Sequence, residues 1–578
     1  MLDFTDRPAL PQKLVDTLQV LKTQRRQVST LPIGPWIAHE TIWRDPATDQ
    51  AYGSAQLRRL VAPGCTFGYD VLVLVGQELF LHHRPTEAVV EQLREGQIPI
   101  SPSEVGYLAR KFVVYLALAH RQSAPTLKKA MQAQGGYILH LDGTCEGGGP
   151  MLMSSLDGLS QIVLGSVKLP SEKAEQIIPF LQEIKARFGR PIATVHDMGT
   201  GILRAIHEVF PGVPDFICHF HFLRDVGKDL LEADYEALRQ RLRKHGLGQK
   251  LLYRARRLKS TLDQQPEVME GFCHSVQQGH WPPSAQLESF PLLCAYSLIQ
   301  WALESKRGSE GYGFPFDRPQ VEWAHRMLVL GERLEQIKDI HLRGQWTDNK
   351  PLLRLSCELR NLCADAGLAR RLAALDEKIQ VFDQLRSAMR IAPTGGGAGL
   401  NSGSEAVALG PIEKAVEKFR QQITSRADYD SNDGWKAMVA QIDKYQEKLF
   451  ADPITVRTPH GPLVIQPQRT NNIMERFFRD LRRGARHRTG NNRIGRFLQS
   501  MIADTPLVRN LENPAYLKIL LNGQATLEER FAQIDVETVR KELAAARASV
   551  EKVPLKIRQL IALPSFPEDV CRLFKNAA

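Results

Sequence analysis

Nowhere in the 578 residues is there an apolar run of 18, so no transmembrane helix is expected. The opening residues, Met1-Leu-Asp-Phe-Thr-Asp6, lack the basic start and apolar core of a secretory signal. Cysteine is scarce. The eight present are mostly isolated, which argues against a disulfide framework and fits free thiols in a reducing compartment. No internal repeat of fixed period is found. Acids are in deficit: 64 Asp and Glu against 75 Lys and Arg leave +11, with a pI near 9.2. That excess favours polyanion partners, and clustering matters more than the total. Apolar residues are plentiful at 43%, enough for ordinary cores in two to four domains.

Local pattern divides the chain. Residues 8–28 read as a helix with a basic end at Lys22, Arg25 and Arg26. Residues 36–82 are mixed, with strand-like stretches such as Asp70-Val-Leu-Val-Leu-Val75. Residues 86–112 read as a helix pair. Its second member opens on Ser101 as N-cap, Pro102 at the first helical position and Glu104 completing a capping box. The pair is either a DNA-reading helix-turn-helix or a plain hairpin of a small bundle. Residues 1–130 are therefore expected to be an α/β or helical DNA-binding region.

From 137 the pattern changes. Apolar runs at 137–142, 150–155 and 161–168, parted by turn residues, predict three strands in a meander. A helix at 172–188, a strand at 191–196, a helix at 200–210, a strand at 215–219 and a helix from Phe220 to about 232 follow. The order β-β-β-α-β-α-β-α predicts an α/β core over 135–232. Residues 233–455 are almost wholly helical in pattern, with a Gly-rich flexible linker at 392–404. Strand character returns at Leu463-Val-Ile465. Residues 456–510 read as the second part of the core and 511–578 as a helical tail.

Three acids stand out. Asp142 ends the run Tyr137-Ile-Leu-His-Leu-Asp142, and Asp197 ends Pro191-Ile-Ala-Thr-Val-His-Asp197. Glu475 lies near the start of an arginine-studded helix. Two acids at strand ends and one on a helix, in a basic protein, suggest a carboxylate cage for two divalent metals acting on phosphodiesters. Each acid also has a plainer reading. Asp142 starts an Asp-Gly turn, Asp197 caps the next helix, and Glu475 forms a capping box with Asn472.

The residues match a known pattern. Asp142-Gly-Thr144 resembles the first acidic motif of Mutator-like transposases. Thr194-Val-His-Asp197, Ala205-Ile206, Val209-Phe-Pro-Gly-Val213 and Cys218-His-Phe-His221-Phe-Leu-Arg-Asp225 resemble the second acidic motif of Mutator-type and related bacterial insertion-sequence transposases. Thr470-Asn-Asn-Ile-Met-Glu475-Arg-Phe-Phe-Arg479 is similar to their glutamate motif. The matching stretches cover about 137–232 and 462–500. The resemblance implies an RNase H-like catalytic fold interrupted by a large all-α insertion. It implies a DDE triad of Asp142, Asp197 and Glu475, holding two Mg²⁺ or Mn²⁺ ions. It also implies cutting of transposon ends and joining of their 3′ hydroxyls to target DNA. Double-stranded DNA, a homodimer or larger assembly, and a bacterial cytoplasmic, nucleoid-associated setting go with it. Many relatives carry a Cys-rich zinc-binding segment near the N-terminus; here only Cys65 precedes residue 145.

Cys218 and His221 have the spacing of half a zinc site, but no second pair lies nearby, so zinc is not expected. They read either as a near-site motif with a structural or substrate-positioning role, or as a buried thiol and a core histidine. After Glu475 come the arginines Arg476, Arg479, Arg482, Arg483, Arg486 and Arg488, of which 479, 482, 483 and 486 repeat every three to four residues, and Asp480 is the one acid before Asp504. That face is expected to bind DNA phosphates. A second basic stretch, Arg239 to Lys259, reads equally as an exposed amphipathic helix or a DNA contact. Trp281, Trp301, Trp323 and Trp346 read as core, with base stacking as the alternative. Two other functions compete with the transposase: a stand-alone RNase H-like nuclease, and a transposase-derived DNA-binding protein without catalysis.

Overall fold

The N-terminal stretch expected to be helical is mostly sheet. Four strands build it: β1 (Leu2–Phe4), β2 (Gln19–Thr30), β3 (Gly34–Arg44) and β4 (Ala51–Tyr52). Within 8–28 only Gln12–Val15 is described as helical. Antiparallel pairing with β3 along Gln19–Thr30 holds β2 as a strand although most of it is exposed. Trp36 and Ala38 of β3 point inward with Val28 and Phe4 and bury a small core over Leu57. Asp70–Val75 belongs to a helix, Tyr69–Phe80, rather than a strand. Val71, Leu72, Val73 and Val75 are all buried there, and a run buried on every side carries no period to separate the two.

The computed structural model describes residues 1–7, 11–146, 149–262, 266–280, 289–305, 311–342, 350–392, 409–450, 452–548, 557, 559–560 and 563–577. The linker read at 392–404 lies outside them apart from Ala392, as do Trp281 and Trp346. Among the described residues, no helix is long and apolar enough to cross a membrane.

The expected helix pair is present as Thr86–Glu95 and Pro102–Ala133. Its capping box forms: Glu104 N–H donates to Ser101 Oγ at 3.3 Å, and Ser101 N–H donates to Glu104 Oε2 at 2.8 Å. The second helix runs 32 residues, and side chains from Val105 to Met131 lie in the core. Beyond its exposed first turn it is a core element, so the plain hairpin fits better than a helix free to enter a groove.

The meander and its continuation match the pattern closely. β5 (Ile138–Thr144), β6 (Met151–Asp157), β7 (Val163–Leu169), β8 (Ala193–His196) and β9 (Asp215–Ile217) form one sheet in the order β7-β6-β5-β8-β9. β5 is central, antiparallel to β6 and parallel to β8. Both its faces are covered, which is why its sequence is an unbroken apolar run rather than an alternating one. Helices Ala174–Phe188 and Thr200–Val209 supply crossovers as expected. The strand at 463–465 pairs instead with Ile454–Thr458 in a separate hairpin. That hairpin packs Val456 and Ile465 against Ile138, Ala193 and Val195.

The chain divides into two compact units, Met1–Phe216 with Pro453–Ala578, and Ile217–Asp452. The five segments read from sequence thus merge. The N-terminal region and the tail join the α/β core: Phe531 stacks on Tyr115 at 5.2 Å, and Tyr516 and Leu543 are buried. Beyond Ile217, the end of β9, the regular elements among the second unit's described residues are all helices. It begins at Ile217 rather than 233, because the helix after β9 does not stop near 232 but runs from His219 to His245.

Candidate active site

Register places the first two acids together. β5 and β8 run parallel with Leu141 opposite His196. Asp142 follows inside β5, where it still pairs with Ser154 of β6, so the turn reading of Asp142-Gly143 does not hold; Asp197 follows directly on the end of β8, so the two acids stand side by side near the same end of the parallel pair. Gly143 N–H donates to Asp142 Oδ1 at 2.8 Å, and Gly199 N–H donates to Asp197 Oδ1 at 3.1 Å. The helix Thr200–Val209 takes Gly199 as N-cap without a side-chain cap, so Asp197 is not its cap. His196 is fully buried. Its two ring nitrogens contact the Asp197 carbonyl and the Asp215 carboxylate, and these two contacts hold the peptide at Asp197 in place.

Glu475 returns to this place across 475 − 197 = 278 positions. Its helix, Asn472–Thr489, is tied to β5 at two points. Asn471 donates through Nδ2 to the Leu141 carbonyl at 3.1 Å, and its Oδ1 accepts from His140 Nδ1 at 2.9 Å. Arg482 donates to Thr144 Oγ1 at 2.8 Å. The two ties fall on either side of Asp142. Asn471 is the N-cap residue, yet it makes no side-chain cap bond. The capping-box reading of Glu475 therefore does not hold. Helical spacing puts Glu475, Arg479, Arg482 and Arg486 on one face.

Electrostatics link the acids. Burial pushes the Asp142 carboxyl well above its ordinary range, and the charges of Asp197, Glu475 and Glu172 push the same way. Glu172 was read only as the start of a helix. It lies in the loop after β7, and its own carboxyl is pushed up by burial and by Asp197. A Cβ on Gly143 would sit 3.5 Å from Glu172 Oε1, and one on Gly201 only 1.8 Å from the Glu172 carbonyl oxygen. The signal for it was its position: a third acid just beyond the end of a strand of the same sheet.

Four carboxylates are an oxygen-donor set suited to Mg²⁺ or Mn²⁺. Among the described residues, however, no three His, Cys, Asp or Glu side chains form a group able to hold a metal ion.

The arginine face is mostly as read. Arg476, Arg479, Arg482, Arg483 and Arg486 are exposed. Arg488 is not on it: its guanidinium lies against the rings of Phe80 and Phe497. Cys218 and His221 belong to the second unit and are buried there, Cys218 as N-cap of the helix His219–His245. The second basic stretch is partly an ion-pair face. Arg241 forks onto Asp365 at 2.8 and 2.6 Å, Arg254 pairs with Glu358, and Arg239 pairs with Glu236. Trp323 is core, and Trp301 lies at the surface under Arg326.

Compared with protein-family models and with curated proteins, the chain matches none.

Proposed function

We propose that the first unit is the catalytic core of a DDE-type DNA transposase with an RNase H-like sheet. One observation carries the reading. Asp142, Asp197 and Glu475, spread over most of the chain, act electrostatically on one point at the end of the central strand. The antiparallel meander extended by a parallel fourth strand, and the insertion of 452 − 217 + 1 = 236 residues between the second and third acids, also support it.

Asp142, Asp197 and Glu475 would hold Mg²⁺ or Mn²⁺, with Glu172 as a further oxygen donor. Two such ions, when bound, neutralise the scissile phosphate and activate a water or 3′ hydroxyl. Gathered carboxylates repel one another, so drawing them closer requires a cation. Asn471 and Arg482 fix the helix that carries Glu475 against β5. Arg479 and Arg486, exposed on the Glu475 face, would contact backbone phosphates of double-stranded DNA. Two transposon ends call for a homodimer or larger assembly.

Purified protein with Mg²⁺ or Mn²⁺ should join labelled terminal-repeat DNA to a target plasmid. Asp142→Ala should abolish cleavage and leave DNA binding intact; unchanged cleavage would sink the assignment. The alternative reading is a DNA-binding protein without turnover. It predicts binding by the wild type with no cut product.

A further inference from the structure

The helix that carries Glu475 has a second working face. Phe477, Leu481, Gly484 and Arg488 recur at three- and four-residue spacing on the side turned away from Glu475, Arg479, Arg482 and Arg486. Behind that side lies a cavity of about 460 Å³. Residues Leu79–His83 and Thr505–Glu512 contribute its other walls, all within the first unit. Gly484 is glycine for a visible reason: a Cβ there would lie 2.4 Å from the His83 ring.

Among the described residues, neither Arg488 nor Arg509 of this lining has an acidic partner. Arg488 stacks against Phe80 at 5.1 Å and Phe497 at 4.8 Å. Aromatic rings engage its flat surface and leave its in-plane N–H donors, the edge that forks onto two oxygens of an anion. Arg509 lies over Phe477 at 5.6 Å, and its Nη1 is buried without a hydrogen-bond partner. A buried N–H without an acceptor is costly, so a site that keeps one is shaped for a ligand that supplies the acceptor. His82, His83 and His487 add further ring nitrogens to the lining. Its acids, Asp480 and Glu512, are both exposed at the rim.

We propose that this cavity binds a phosphate group, carried either by a nucleic-acid strand or by a free nucleotide. Arg488 and Arg509 present charged donors to the same cavity, with His83 and His487 beside them, and His82 shares one ring nitrogen with Glu78; the three or four oxygens of a phosphate can accept from both guanidiniums at once. The volume lies within the ordinary range for small-molecule sites, about 300–1,000 Å³. The cavity faces away from the carboxylates, so it binds its ligand whether or not Glu475 can work.

The test is calorimetric titration of the full-length protein at low ionic strength. The probes are inorganic phosphate, deoxyadenosine monophosphate and a short 5′-phosphorylated single-stranded oligonucleotide. The variants are Arg488→Gln, Arg509→Gln and Glu475→Gln. At least one probe should bind the wild type and Glu475→Gln equally, and Arg509→Gln should weaken it by about tenfold or more. Binding of phosphate and mononucleotide identifies a free-nucleotide site. Binding of the oligonucleotide alone, with the same loss in Arg509→Gln, identifies a strand phosphate. Should Arg488→Gln unfold early, Arg509→Gln decides: its Nη1 makes no hydrogen bond among the described residues, and a thermal unfolding curve matching the wild type shows that losing the Phe477 contact has not unfolded the variant. No binding of any probe to the wild type, or equal binding by Arg509→Gln, overturns the proposal. Loss of DNA cleavage in Glu475→Gln with phosphate binding retained would separate the two sites.

Discussion

His140 and Asn471 share a buried hydrogen bond of 2.9 Å across 331 residues of sequence. The same asparagine donates to the Leu141 carbonyl, and its own carbonyl accepts from Glu475 N–H at 3.1 Å. One side chain thus locks the helix of the third acid to the strand of the first. Asn471→Ala should cost about 2–4 kcal/mol, because two buried groups on β5 lose their partner. Urea unfolding with an unchanged m-value would measure it. A loss under about 0.5 kcal/mol would mean that the brace contributes little.

Gly201→Ala tests the placement of Glu172. The new Cβ would stand 1.8 Å from the Glu172 carbonyl oxygen, which is backbone and cannot swing away. The loop or the helix Thr200–Val209 must move. A loss of about 1–3 kcal/mol or more is expected, together with weaker divalent-cation binding, because Glu172 shifts with its backbone. Thermal unfolding with and without Mg²⁺ reads both.

Asp142→Asn should stabilise the protein while abolishing cleavage. Burial, with the charges of Asp197, Glu475 and Glu172, raises the folded-state pKa of Asp142 above the unfolded value. The folded state then holds the proton to higher pH than the unfolded state. Stability contributed by this group falls as pH rises through that window and is lowest above it. Removing the charge relieves that cost at neutral pH, so the variant's Tm should rise. Mg²⁺ or Mn²⁺ should stabilise the wild type by RT ln(1 + [L]/Kd), about 2.7 kcal/mol at a hundredfold Kd, and leave the variant unmoved. A wild-type Tm indifferent to both ions would defeat the metal reading.

The parts of this site that were legible are those where one residue type has one meaning. A strand covered on both faces is an apolar run, and an acid ending it is conspicuous, so Asp142 and Asp197 could be read directly. Glu475 could be read from its motif, but not its anchorage. Asn471 and Asn472 look like cap residues, and whether a side chain caps its own helix or grips a strand 331 positions away is decided by tertiary packing. Glu172 was hidden because it belongs to a loop rather than a strand. Arg488 belongs to the same arginine run in sequence, two residues after Arg486, and so looks like one more exposed cation. On the helix it falls on the buried side with Phe477 and Gly484. The pattern of residues 8–28 fits a helix as well as a strand, and what decides for the strand is the ladder with β3, a partner that local pattern does not name.

The exposed arginines predict a salt slope. If Arg479 and Arg486 each neutralise one phosphate, log K for double-stranded DNA against log salt should lose about 0.9 in slope per contact. The double variant Arg479→Gln, Arg486→Gln should therefore lower the slope by roughly 2. Asp142→Ala should keep the full wild-type slope. Arg482 is left out of the test because it is bonded to Thr144. An unchanged slope would move the DNA-binding surface elsewhere.

His120 gives the fold an acid limit. The ring is 1% exposed on the helix Pro102–Ala133, between the Tyr516 hydroxyl at 2.9 Å and the Leu164 carbonyl at 3.1 Å. Nε2 faces a carbonyl and so carries the proton; Nδ1 is left to accept from Tyr516. A second proton would charge the ring in a closed, apolar place. Burial accordingly lowers its pKa from 6.5 to about 4. The unfolded chain takes up the proton near 6.5 and the folded chain only near 4. Below pH 6.5 the unfolded state therefore binds more protons, and stability drains away as pH falls toward 4. The difference amounts to at most about 3 kcal/mol. His140, also buried and lowered to about 4, adds loss in the same window. Urea unfolding at about pH 7 and about pH 4.5 should show wild type losing more than His120→Gln by up to that amount. Equal losses in the two proteins would mean that the ring is already charged in the folded state, and that the tautomer assigned from its two partners is wrong.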